Sequence, residues 1–339
     1  MFDFSSDDQD QSGKRDRILT SPAKTFIHVG WPKTATKSLQ INLLARHPGV
    51  LHFGPLGDDE RMGAVMSMIK NLDSLDYRQE ACSALKDEVL RSHPVEGKVL
   101  VVSDEMLVLT HFPYFPLADR ALIAQRLRDT FGPAGIIMTV RNQVSMLASM
   151  YNQLVSYWIV ISGSGKTWMD FRVTAGFEEW VERQFELPGT PYLSMLEYDR
   201  VYRLYSSVFG KENVHVFCFE QIAEDPCRFA EAICRCLGVE PATAGRLFNE
   251  RRRNPSRSRA DLWKIRYFSR FPALAGLYGK LAGMIPSDLK QAMKNRLPGR
   301  PPVNDLPAPL KDRIRTRFAE GNGSMARETG LNLSGHGYI

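Results

Sequence analysis

Short, nearly continuous apolar runs alternate with longer amphipathic stretches along most of the chain. The strand-like runs are Thr25–Val29, Lys98–Ser103, Gly135–Val140, Tyr192–Leu196 and Asn213–Phe219. Helix-like stretches lie between them at Ala64–Arg91, Ala118–Thr130, Asn142–Trp158, Trp168–Phe185 and Asp199–Phe209. Runs without polar alternation suit strands covered on both faces. The order therefore predicts an α/β protein: a three-layer α/β/α arrangement with a mainly parallel central sheet and helices on both sides. Beyond Val239 the pattern turns helical, with Pro and Arg interruptions. The expected organisation is a disordered leader over 1–20, an α/β core over 21–240 and a helical C-terminal extension over 241–339 packing on the core. No internal repeat is visible.

In such sheets ligands collect at the carboxyl ends of the strands. The first strand-like run breaks at Gly30 and leads through Trp31-Pro32-Lys33-Thr34-Ala35-Thr36-Lys37-Ser38 into an amphipathic helix. A strand, a tight turn and a helix N-terminus form an anion cradle, because backbone N–H groups and the positive end of the helix dipole point at one place. Lys33 and Lys37 add charge, and Thr34, Thr36 and Ser38 add hydroxyls. A Walker A loop needs glycine at the sixth and the first position before its Lys. Counting back from Lys37 those positions hold Trp31 and Thr36, and counting back from Lys33 they hold Ile27 and Pro32. Gly163-Ser164-Gly165-Lys166-Thr167 has the right ending but carries Val160 in place of the first glycine; it reads as a Gly/Ser surface loop.

A second segment sharpens the picture. The run Gly135–Val140 ends in Arg141, and Ser149 and Tyr151 follow on the next helix. An Arg at a strand's carboxyl end can fork onto phosphate oxygens, and a Ser two helical turns on faces the same crevice. The two segments together resemble the PAPS-dependent sulfotransferases, over roughly Phe26 to Gly238, with closer likeness to the bacterial and glycan-modifying branch. That family carries a Pro-Lys-[Thr/Ser]-Gly-Thr-Thr loop for the 5′-phosphosulfate and an Arg and Ser for the 3′-phosphate. The resemblance implies a P-loop-like phosphosulfate turn formed by Lys33, Thr34, Ala35, Thr36, Lys37 and Ser38, with Arg141 and Ser149 on the 3′-phosphate. It implies PAPS as donor, PAP as product and no metal. Three positions depart from the pattern. Ala35 stands for Gly, which requires its φ to stay negative. Lys37 stands for the second Thr. Gln143 stands for a Pro that serves only the helix start.

Sulfuryl transfer to a hydroxyl needs a proton acceptor and a cation beside the leaving phosphate. Lys33 is the cation. Glu105, after the strand VLVVSDE, and His111, in Thr110-His111-Phe112-Pro113, are both candidates for the base. They lie 36 and 30 residues before Arg141, and the longer spacing resembles the glycan-modifying branch. Glu105 is preferred, and His111 stays open. Two other functions stay open as well: phosphoryl transfer by a nucleotide-binding P-loop protein, and a non-catalytic module that binds PAP or PAPS.

Composition adds little. The chain has 339 residues, 43% hydrophobic and 24% charged, with a net charge of +6, enough for one large core and a mild preference for anions. No apolar run approaches the length needed to span a membrane, and residues 1–17 lack the apolar core of a signal peptide; a cytoplasmic protein is expected. Cys227, Cys234 and Cys236 share one predicted helix, but Cys234 and Cys236 would face different ways and no His follows at finger spacing, so reduced thiols rather than zinc are expected. Arg251-Arg252-Arg253-Asn254-Pro255-Ser256-Arg257-Ser258-Arg259 is an anion-seeking loop. The resemblance would set Arg253 and Ser256 near the nucleotide, and no aromatic platform suggests nucleic acid. The acceptor, a hydroxyl of a glycan, lipid or small alcohol, is expected among the loops His52–Arg61, Thr110–Leu117 and Ser156–Thr174.

Overall fold

The computed structural model describes residues 24–55, 59–108, 119–162, 176–186, 191–249 and 305–339. Five strands form one sheet in the order β2-β3-β1-β4-β5: β1 (Lys24–His28), β2 (Val50–Phe53), β3 (Val99–Ser103), β4 (Gly135–Val140) and β5 (Val214–Cys218). Every pairing is parallel, with His28 opposite Ser103 on β3 and opposite Ile137 on β4.

The side-chain alternation of the strands splits the core in two. Ile27, Leu51, Phe53, Leu100, Val102, Ile136, Met138 and Val140 point to one face. That face is covered by α2 (Glu60–Asn71), α3 (Gln79–Arg91), α4 (Arg120–Phe131), α5 (Gln143–Ser162), α6 (Phe177–Glu186), α7 (Pro191–Met195) and α8 (Tyr198–Phe209). Phe26, Val50, Val99, Val101 and Ile137 point to the other face. There they meet α1 (Thr36–Ser38), which continues as a π-helical segment Leu39–Leu44, followed along the chain by a short α9 (Glu220–Glu224) and by α10 (Pro226–Leu237) and α11 (Ala244–Asn249). Asp225 caps α10 through the amides of Cys227 and Arg228, Pro226 opens it, and Gly238 at φ 73 ends it, each suited to its position.

The long helix expected over Ala64–Arg91 is two helices. The Asp73 carboxylate accepts from the amides of Leu75 and Asp76, which makes a turn, and Arg126 Nη1 takes the freed carbonyls of Ile69 and Leu72. Asp is favoured in such turns because its side chain replaces a helical acceptor. The run expected as a strand over Tyr192–Leu196 is instead the short helix Pro191–Met195, with Leu196 in the turn after it. It lies against the first face of the sheet, where the Trp31 indole bonds the Met195 carbonyl at 2.9 Å and Tyr192 packs on Trp180. Five residues, four of them apolar around Ser194, carry too little periodicity to separate the two states. Strand β2 occupies the start of the segment expected to be the acceptor loop His52–Arg61. Phe53 is buried against His93, and Glu60 and Arg61 open α2.

The helix α12 (Ala308–Thr329) packs on α8 and α5. Gln143 and Asn322, each 2% exposed, exchange both amide hydrogen bonds: Gln143 Nε2 donates to Asn322 Oδ1 at 2.9 Å and Asn322 Nδ2 donates to Gln143 Oε1 at 3.2 Å. Gln143 therefore does more than start a helix. It docks a distant helix, as no Pro could. The leader, His111, the glycine loop 163–167 and the Arg251–Arg259 run with Arg253 lie outside the described residues. Among the described residues, no helix is long and apolar enough to cross a membrane. Cys227 is exposed, Cys234 buried and Cys236 half-buried, and no described His, Cys, Asp and Glu cluster could hold a metal ion.

Replacing Gln143 by Ala strands the buried Asn322 Oδ1 and leaves Asn322 Nδ2 with the Tyr338 carbonyl alone, at a cost of about 1–3 kcal/mol. A urea titration of Gln143→Ala should show a lower midpoint, and an unchanged midpoint would mean that α12 docks by apolar contact alone.

Candidate active site

The loop between β1 and α1 rests on a buried row of polar side chains. His28, Ser103 and Thr139 lie at the carboxyl ends of β1, β3 and β4, with Gln40, Thr34 and Thr36 above them; all six are 3% exposed or less. One set of donors satisfies the whole row. Gln40 Nε2 donates to Ser103 Oγ at 2.9 Å, and the Ser103 hydroxyl donates to His28 Nδ1 at 2.8 Å. His28 Nε2 then donates to Thr139 Oγ1 at 3.4 Å, Thr139 to Thr34 Oγ1 at 2.7 Å, and Thr34 to the Trp31 carbonyl at 2.5 Å. This direction requires a neutral His28 protonated at Nε2. Burial lowers the His28 pKa to about 3, with help from nearby His52, so the imidazole is neutral. His52, on β2, is likewise lowered by burial to about 4.

Two backbone features follow from this floor. Gly30 runs directly over it, and a Cβ there would sit 2.3 Å from Thr139 Oγ1 and 2.6 Å from His28 Nε2. The loop itself turns through the left-handed region twice without glycine, at Lys33 (φ 68) and Ala35 (φ 62). The expectation that Ala35 would keep a negative φ is overturned. Thr34 and Thr36 both donate to the Trp31 carbonyl, the latter at 3.1 Å, which closes the turn at the cost of roughly 1–2 kcal/mol for each left-handed residue. The two threonine hydroxyls are thus donors into the turn. What the loop offers outward is the N-terminus of α1, whose first amides have no intrahelical acceptors, the half-buried Ser38 and the exposed side chains of Lys33 and Lys37.

Arg141 follows β4 and is held on three sides. Its Nε donates to Ser145 Oγ at 2.9 Å, its Nη1 donates to the Lys33 carbonyl at 3.0 Å, and its guanidinium lies 4.4 Å from the centre of the Phe219 ring. Burial lowers its pKa, and the Glu220 carboxylate raises it back in part. Ser149 is half-buried one helical turn beyond Ser145 on α5. Ser145 escaped the sequence reading, although its spacing of four from Arg141 was a usable signal. Tyr151 is buried in an aromatic cluster, 5.2 Å from Phe177 and 5.7 Å from Trp180, and so belongs to the core.

Glu105 opens a 3-10 turn just past β3, capped by Asp104, whose carboxylate accepts from the Met106 amide and is paired with Lys70. Burial raises the Glu105 pKa above its ordinary 4.5; Lys37 and Lys33 pull it down and Asp104 pushes it up. Both loop lysines therefore act on this carboxylate. The turn after β1, the end of β3 and the end of β4 thus bring Lys33, Lys37, Glu105 and Arg141 to one end of the sheet. Chemically, that is an anion cradle beside a carboxylate of raised basicity.

No family model matches the sequence, and no curated protein matches it. Solved structures do. A sulfotransferase from Alicyclobacillus acidocaldarius aligns over 93% of this chain and 99% of its own, with 19% identity and a TM-score of 0.52. The sulfotransferase domain from the curacin biosynthetic pathway aligns over 83% of this chain and 99% of its own, at 15% identity and a TM-score of 0.36. A mouse sulfotransferase complexed with PAP aligns over 73% of this chain and 64% of its own, at 15% identity and a TM-score of 0.33. The chain has the fold of the Alicyclobacillus sulfotransferase.

Thr139→Val keeps the shape of the floor and removes its central hydroxyl, which leaves His28 and Thr34 short of a partner. A loss of about 1–3 kcal/mol is expected, readable as a lower melting temperature, with Thr139→Ser retaining most of it. Ala35→Gly should act the other way, since relief of the left-handed strain exceeds the added chain entropy by up to about 1 kcal/mol; a melting temperature that falls would show that the loop is not strained there.

Proposed function

We propose that this chain is a sulfotransferase that moves the sulfuryl group of PAPS to the hydroxyl of an acceptor, a glycan, lipid or small alcohol. The observation that carries the reading is the link between its two phosphate-seeking elements. The Arg141 guanidinium is bonded to the carbonyl of Lys33, so a cation for one phosphate and the loop for another are built as one unit. Two anionic ends of one nucleotide fit that pairing better than a single polyphosphate tail does.

The residues present suit the donor. The α1 N-terminus and Lys33 would hold the 5′-phosphosulfate, with Thr34 and Thr36 fixing the turn and Ser38 and Lys37 at its rim. Arg141, with Ser149 beside it, would hold the 3′-phosphate. The acceptor oxygen attacks sulfur in line, the bond from sulfur to the 5′-phosphate oxygen breaks, and PAP leaves. Lys33 offsets the charge that grows on that oxygen. Glu105 takes the acceptor's proton, and burial gives it a basicity above that of an ordinary carboxylate, closer to that of a working base. Lys37 has a part here beyond the anion cradle: it limits how far burial can raise Glu105.

Calorimetric titration with PAP, with ATP–Mg²⁺ as competitor, tests the donor site. Micromolar PAP binding is expected, lost in Arg141→Ala, and transfer of labelled sulfate from PAPS should fail in Lys33→Ala. ATP binding without PAP binding would overturn the reading.

Glu105 also makes a prediction about stability. A carboxylate whose pKa is raised by folding stabilises the fold below about pH 4.5, its unfolded value, and that contribution is lost as pH rises through the folded value. At neutral pH the charged Glu105 is thus a cost. Glu105→Gln should melt higher than wild type at pH 7, lose that advantage near pH 4, and abolish turnover. The acid limb of kcat/KM in the wild type should lie above the ordinary carboxylate range. Retained turnover in Glu105→Gln would move the base elsewhere.

A further inference from the structure

We propose that Glu220 and the segment 336–338 form a brace that positions Arg141 for the 3′-phosphate, with Glu220 and Tyr338 as its positioning residues; this rests on the donor reading above. Arg141 has little freedom of its own, because its place is set by the backbone at the end of β4. The polar groups around that backbone are tied to distant parts of the chain. The Arg141 carbonyl accepts from Tyr198 OH at 2.7 Å. The Asn142 amide donates to Glu220 Oε1 at 2.9 Å, and Tyr338 OH donates to Glu220 Oε2 at 2.8 Å. Asn142 Nδ2 donates to the carbonyls of Gly337 at 2.6 Å and His336 at 3.2 Å. Asn322 Nδ2 donates to the Tyr338 carbonyl at 2.8 Å, which ties the segment to α12.

Glu220 directly follows Phe219, the ring beneath the guanidinium. The end of β5 therefore presents a stacking face to Arg141 and a carboxylate to its neighbour in one dipeptide. Tyr338 is 1% exposed, and its hydroxyl goes to this carboxylate. A segment that only covered the core would need apolar contact there and no oriented donor. Forked recognition of a phosphate by Arg is sensitive to small displacements, so a brace at this point should act on binding of the 3′-phosphate in particular.

The test compares PAP with adenosine 5′-phosphate, which lacks that group, by calorimetry on the full chain. Tyr338→Phe removes one hydroxyl and Glu220→Ala removes the carboxylate. Each should weaken PAP binding about fivefold more than adenosine 5′-phosphate binding, the size of one lost hydrogen bond. Glu220→Gln keeps an acceptor for Asn142 and can donate to Tyr338 OH, and should retain affinity near the wild type. Equal weakening of both nucleotides, or no weakening in either variant, would overturn the brace. Wild-type protein that binds no PAP would sink the donor reading and the brace with it. Wild-type binding that depends on Arg141 but ignores Tyr338→Phe and Glu220→Ala would sink the brace alone.

Discussion

The hydrogen-bonded row from Gln40 through Ser103, His28 and Thr139 to Thr34 is the constraint on which the site depends. It crosses the three strands whose carboxyl ends carry the loop, Glu105 and Arg141, and it does so where a purely apolar core would leave the loop free to choose its path. Each member is buried, so each must be satisfied, and only one ordering of the protons satisfies them all. That ordering holds His28 neutral, forces Gly30 at the crossing, and fixes Thr34 in the turn. The strain at Lys33 and Ala35 is the consequence. Left-handed backbone at two residues with side chains persists only where surrounding bonds over-determine it.

Charge at the site is arranged in opposition. Lys33 and Lys37 draw the Glu105 carboxylate toward ionisation while burial and Asp104 draw it back. Lys70 offsets Asp104 in turn. The result is a carboxylate influenced by two cations without a direct ion pair among the described residues. Arg141 is treated differently. Its guanidinium is held in part by the protein, by Ser145 and by the Lys33 carbonyl, so its orientation is fixed within the fold. A guanidinium fixed beforehand loses less freedom when an anion arrives.

Much of this was visible in the sequence. Strands β1, β3, β4 and β5 are apolar runs bounded by turn residues, and such runs are dictated by the need to bury both faces of a parallel sheet. The loop and Arg141 were visible because cations and hydroxyls crowd at strand ends, where chain geometry sends them to one crevice. Strand β2 was not visible, since Val50–Phe53 is short and contains His52, and its extended state comes from pairing with β3. Nor was the helical state of residues 191–195, where the Trp31 indole and Trp180 decide between two states of equal local preference.

The sequence by itself determined the layered α/β architecture, the cationic turn after β1, the Arg at the end of β4 and the acid after β3, because periodicity and charge are local properties. Tertiary structure alone decided that Thr34 and Thr36 face into the turn, that Ala35 takes a left-handed conformation, that Gln143 docks α12 and that Glu220 and Tyr338 meet at Asn142. Each of those depends on a partner between two and about two hundred residues away, and a hydrogen bond between buried groups can be assigned only when both ends and the space between them are known.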